Sequence, residues 1–113
     1  MTEKLTAKKC KPCEEGAQPL KGDALTDLAK QISKDWNIVD EHHLVKTYEF
    51  DDFKQALDFT NRVGAVAEEE GHHPDIYLTW GKVEIKVWTH KAGGLTENDF
   101  IFAAKVDGVL GED

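Results

Sequence analysis

Between Glu68 and Asp99 the chain gathers side chains suited to moving protons. The run "EEEGHHPDIYLTW" sets His72 beside His73, with Glu68 four residues before the first and Pro74 directly after the second; His90 and Asp99 follow. Imidazole is the side chain best matched to proton transfer near neutral pH. One histidine donating while another accepts suits an elimination or a dehydration, and the Glu68 carboxylate could orient a ring or raise its basicity. Two histidines and a carboxylate can also hold iron or zinc. Neighbours on an extended backbone point to opposite sides, however, so His72 and His73 are awkward joint ligands. The helical pair H-E-x-x-H is absent. Spacing alone ranks acid/base or ligand-binding histidines above metal ligands and leaves a purely structural doublet open. A second doublet, His42 and His43, shows no such convergence and reads as exposed turn residues.

The elements around these residues follow from periodicity. From Asp23, a candidate cap, Leu25, Leu28, Ala29 and Ile32 mark one face of a helix. "WNIVD" and "LVKTYEF" read as two strands joined by a polar "DEHH" turn, with Leu44, Lys46, Tyr48 and Phe50 on one side. Asp51 and Asp52 open a second helix, whose expected buried stripe is Phe53, Ala56, Leu57, Thr60, Val63, Gly64 and Ala67 and whose stop is Gly71. "IYLTW" and "KVEIKVWTH" are strands turning at Gly81. A last helix runs from about Thr96 to Val109, with Thr96 as cap and Asp99 placed to reach back to it. The order α-β-β-α-β-β-α predicts an α+β domain: a four-stranded antiparallel sheet with three helices packed on one face. The hairpin at Gly81 would return His90, at the end of its strand, towards His72 and His73. Pro74 holds His73 extended. Glu68 and His72 would share a face if the helix continued through Gly71, and Gly93 and Gly94 would admit close approach of a ligand to the backbone.

The 113 residues suit a single core. Residues 1–22 read as an extended leader and 23–113 as one domain. A net charge of −8, from 22 acidic and 14 basic residues, argues against nucleic acid, whose phosphates call for Lys and Arg; a small ligand fits better. No run approaches the apolar length of a membrane span, and "MTEKLTAKKC" has no apolar signal core, so the expected compartment is the cytoplasm. Both cysteines lie in "CKPC", Cys10 to Cys13. No second C-x-x-C completes a zinc set, and a flexible extension is the preferred reading.

The succession of Glu68, His72, His73, Pro74, Trp80, His90 and Asp99 resembles the signature of the pterin-4a-carbinolamine dehydratases. The organisation from about residue 19 to 109, including "DW" at Asp35 and Trp36, is similar to that family as well. The resemblance implies a metal-free enzyme with no cofactor, the pterin being its substrate. It would dehydrate 4a-hydroxytetrahydropterin to the quinonoid dihydropterin and so recycle the pterin for an aromatic amino acid hydroxylase. It assigns acid/base roles to His72 and His90 and mainly pterin holding to His73, and it adds Glu68, Pro74, Trp80 and Asp99 to the substrate site. A helix cap explains Asp99 at least as well, and core filling is the better reading of Trp80. The family implies a homodimer or homotetramer assembled through sheet edges and helices. A regulatory or binding protein on the same fold is the alternative.

Overall fold

Alternation of apolar and polar residues in the strands fixes which sheet face the helices cover. The computed structural model describes Leu5 and residues 18–109; Cys10 and Cys13 lie outside the described residues. The elements are α1 (Asp23–Ala29), β1 (Asn37–Val39), β2 (His43–Glu49), α2 (Phe53–Glu70), β3 (Asp75–Thr79), β4 (Lys82–Val87) and α3 (Glu97–Val109). The strands form one antiparallel sheet in the order β1-β2-β4-β3, the expected α+β architecture. Leu44, Lys46 and Tyr48 of β2 and Val83, Ile85 and Val87 of β4 are buried under the helices. The intervening Thr47, Glu49, Glu84 and Lys86 face outward or sit half-buried. Leu5 and Leu25 also belong to the core.

Two helices differ from their expected form. In α2 the buried row is Ala56, Phe59, Val63, Ala67 and Glu70, while Phe53 and Leu57 are exposed. The helix carries two apolar rows at compatible spacings, and the one containing Phe59 meets Tyr48 and Phe50, with ring centroids 4.6 and 5.2 Å away. Helix α1 stops at Ala29, short of Ile32, and Gly22 rather than Asp23 occupies its cap position. The α2 termini are as expected. Asp52 accepts a hydrogen bond from the Gln55 amide at 2.9 Å, and Gly71 closes the helix in the left-handed region at φ 64°, where a side chain would be strained.

Where α3 meets β2, a buried polar group takes the place of core hydrocarbon. The Asp107 carboxylate accepts from Lys46 Nζ at 2.8 Å, Tyr48 Oη at 2.8 Å and Trp36 Nε1 at 3.0 Å, and from the Ser33 amide at 3.2 Å. Lys46 sits on the inward row of β2 because this carboxylate waits for it there.

Candidate active site

The end of α2 sets the geometry. With Gly71 in the left-handed conformation, its own amide and that of His72 both return to the Ala67 carbonyl. The helix therefore stops at Gly71 as expected, and the face that Glu68 and His72 would have shared had it continued is not formed. Glu68 Oε2 instead meets Nε2 of His73 at 2.6 Å in an exposed pair. His72 turns inward, its side chain 12 % exposed, and its Nε2 lies 2.6 Å from Oδ1 of Asp99.

Asp99 performs the capping task expected of it and a second task not foreseen. Its Oδ2 accepts from the Thr96 amide at 2.9 Å, the closing bond of a capping box at the start of α3. The same oxygen accepts from the Thr89 hydroxyl at 2.8 Å. Thr89 thereby spends its proton on Asp99, so the Thr96 hydroxyl, 2.8 Å from Thr89 Oγ1, is the donor in that contact. The carboxylate is fully buried. With two donors on Oδ2, its other oxygen takes the Nε2–H of His72, and a ring protonated there leaves Nδ1 as a base. A second tie holds the place: Lys105 Nζ of α3 reaches Glu70, the last residue of α2, at 2.7 Å.

His90 reaches the neighbourhood from the other side of the hairpin. Asp75 pairs with Lys86, so the start of β3 and the end of β4 lie together and His73 and His90 leave the sheet at the same end. Strand β4 ends at Val87, earlier than expected, and Thr89 pairs with Gly94 across a tight loop in which His90 is exposed. Thr89 points to Asp99, and His90, next along the chain, stacks on Trp88 with centroids 4.4 Å apart and planes 13° apart. Gly94 is not held open for a ligand as expected: a Cβ there would come within 2.8 Å of Pro19 Cβ, and the adjoining Leu20 amide bonds to the Leu95 carbonyl at 2.7 Å.

The second doublet is a correction. His42 and His43 are half-buried rather than exposed. Asp40 and Glu41 take positive φ, 54° and 55°, and His42 N bonds back to Val39 O at 2.8 Å. This tight turn brings His42 and His43 to Trp88, with centroids 5.3 and 6.2 Å away. The His43 pKa lies below the usual 6.5 through burial, with Lys86 and His42 adding to the effect. Trp80 is the other correction. It is 68 % exposed at the Gly81 turn and so does not fill core. An extended strand separates it from His73 by about 20 Å, and the fold does not bring it to the histidines within one chain. Pro74 is half-buried, between His73 and the start of β3. Among the described residues no three His, Cys, Asp or Glu side chains are grouped so as to hold a metal ion.

One end of the α+β sheet thus collects a buried carboxylate–imidazole pair and two further histidines. The chain matches the family model described as pterin 4 alpha carbinolamine dehydratase over residues 18–109. It belongs to the pterin-4a-carbinolamine dehydratase family, a family of hydro-lyases. It is 57 % identical over 103 residues to a Rubrobacter xylanophilus protein named for pterin-4-alpha-carbinolamine dehydratase, covering 91 % of this chain and 95 % of that one. A protein of the same name from Alkaliphilus metalliredigens is 50 % identical, with 91 % and 93 % covered. A crystal structure of a transcriptional coactivator/pterin dehydratase from Brucella melitensis superposes with a TM-score of 0.77 at 25 % identity, covering 83 % of this chain and all of that one. A pterin dehydratase-like protein described as a RuBisCO assembly factor in the alpha-carboxysome gives 0.60 at 28 % identity, covering 69 % and 92 %.

Proposed function

We propose that the protein dehydrates 4a-hydroxytetrahydropterin to the quinonoid dihydropterin by histidine acid/base catalysis. The pterin is its substrate, and no metal or resident cofactor takes part. The observation that carries the reading is the 2.6 Å contact between His72 and buried Asp99. A carboxylate at Nε2 fixes the tautomer and orientation of the ring and leaves Nδ1 to accept a proton. In the reaction the C4a–O bond breaks, the hydroxide leaves with a proton from His90 as water, and His72 accepts the ring N–H proton as the C=N bond forms. Exchange with solvent returns both rings to their starting state. His73, exposed and paired with Glu68, holds the pterin.

Stopped-flow dehydration of synthetic 4a-hydroxytetrahydropterin tests the reading. Conversion well above the uncatalysed rate is expected, and a rate equal to that of buffer sinks it. Excess chelator is expected to leave turnover unchanged; loss of activity on chelation, restored by one metal per chain, would replace this mechanism with a metal-dependent one.

Such an enzyme would serve an aromatic amino acid hydroxylase in the cytoplasm; no described helix is long and apolar enough to cross a membrane. We also propose a homodimer or homotetramer. Strand β3 is a sheet edge, and Tyr77, Trp80, Phe53 and Leu57 are exposed, apolar surface of the kind that association covers. Light scattering behind size exclusion is expected to give two or four chains, and a monomer at micromolar concentration overturns the proposal.

A second reading, a regulatory or assembly protein on the same fold, draws on the coactivator and assembly-factor descriptions of the two solved relatives. Absence of dehydration by a folded protein would favour it.

A further inference from the structure

We infer that Trp88 is a positioning residue for His90, and that the second histidine doublet, His42 and His43, is the buttress that holds Trp88 in place. The inference rests on the dehydratase reading and extends it to residues outside the motif.

An exposed imidazole at the mouth of a loop has two free torsions and no inherent reason to hold one plane. His90 is such a residue: exposed, past the end of β4, with the loop closing at the Thr89–Gly94 bridge. Its ring nevertheless lies nearly parallel to the Trp88 indole, 4.4 Å from it. Side chains at i and i+2 of an extended segment project from the same face, so the backbone that sends Thr89 inward to Asp99 necessarily sends Trp88 and His90 outward together. Stacking then removes the freedom of the His90 ring before substrate arrives. Correct orientation of an acid/base group is worth a large rate factor, and misplacement by about 1 Å costs on the order of 10²-fold.

The indole in turn needs a support. It is half-buried, on the side of β4 opposite the inward row of Val83, Ile85 and Val87. Three groups from two other places on the sheet fill that role. His42 and His43 come from the β1–β2 turn, packed edge to face on one another at 83° with their Nδ1 atoms 3.0 Å apart. Lys86 Nζ, from β4 itself, approaches the indole to 5.3 Å of its centroid. Burial, Lys86 and His42 each disfavour the charged form of His43, against the opposing pull of Asp40, which favours a neutral His43 ring beside the indole. The result is a cluster of rings in which His42 and His43 both lie against Trp88 and Trp88 lies against His90.

The test uses the full-length protein and synthetic 4a-hydroxytetrahydropterin. Trp88→Leu is expected to lower kcat by about 10- to 100-fold with KM changed by no more than about threefold. Trp88→Phe, which still offers a ring face, is expected to recover most of the loss, as a general loss of stability would not. The His42→Ala/His43→Ala double variant is expected to fall in between, and it stands in for Trp88→Leu should that variant melt below the assay temperature. NMR supplies a readout independent of turnover: the His90 ring protons are expected upfield in the wild type and in Trp88→Phe, and at free-imidazole positions in Trp88→Leu. An active wild type with Trp88→Leu within twofold of it in kcat overturns this inference alone. So does an unshifted His90 ring in the wild type. A wild type that does not dehydrate the substrate overturns the dehydratase reading itself.

Discussion

His72→Ala is expected to lower kcat for dehydration by about 10²–10⁴-fold, the usual contribution of a positioned acid/base group, with KM changed far less. The ring is held at Nε2 by Asp99, so the alanine variant loses both the proton acceptor and the oriented dipole. The fold survives, because Asp99 keeps the Thr96 amide and the Thr89 hydroxyl; one lost charge-assisted hydrogen bond costs about 1.5–3 kcal/mol. Stability and rate therefore separate: a modest fall in melting temperature beside a large fall in kcat. Adding Asp99→Asn to His72→Ala is expected to slow turnover little further, since a carboxylate that acts through the imidazole has nothing left to act on. Equal turnover in His72→Ala and wild type removes His72 from the chemistry. His90→Ala carries the same expectation for the acid, and wild-type kcat in that variant removes His90 in turn.

The largest effect on stability is expected at Asp107. Asp107→Ala removes one shared acceptor from Lys46, Tyr48, Trp36 and the Ser33 amide together and takes the carboxylate of a buried ion pair away from the Lys46 ammonium. Removing one partner of a buried ion pair costs about 3–5 kcal/mol, and in a domain of marginal stability this is enough to unfold a large share of the molecules. Urea unfolding followed by tryptophan fluorescence measures it. The double variant Lys46→Met/Asp107→Leu separates two accounts of the site. If the carboxylate is needed only by the lysine, the double recovers most of the stability. If it organises the whole corner, the double remains destabilised, because the Trp36 indole, the Tyr48 hydroxyl and the Ser33 amide have still lost the bond each made to Asp107. The second outcome is expected, and full recovery would show that only the ion pair mattered.

Most of the fold was legible because its signals are local. Alternation in "KVEIKV" and "LVKTYE" marked β4 and β2 as strands and put Leu44, Lys46 and Tyr48 on one side, the side that is buried, and the Asp52 and Gly71 ends of α2 are written in residue type. The errors arose where two readings satisfied the same spacing and only a partner could choose. Phe53–Leu57 and Ala56–Phe59–Val63 are equally good helical rows until Tyr48 and Phe50 select the second. The candidate site divides in the same way. Its members are visible as residue types, but their pairing depends on tertiary distance: His72 and Asp99 are 27 residues apart, and nothing short of the fold shows that Asp99 rather than Glu68 faces His72. The His42–His43 doublet read as turn decoration because its partner, Trp88, comes from another strand. The one sign available was the tryptophan two positions before His90, on the same side of an extended segment.

The shared duty of Asp99 has a bearing on how descendants of such a chain can change. One oxygen of that side chain caps a helix and the other steadies a ring, so drift that abandons the chemistry still cannot discard the aspartate without loosening the fold. The histidine it faces is under no such obligation. Relatives that have turned to other work would then keep the aspartate and shed the imidazole, and inspection of position 72, not 99, would tell a working dehydratase from a retired one.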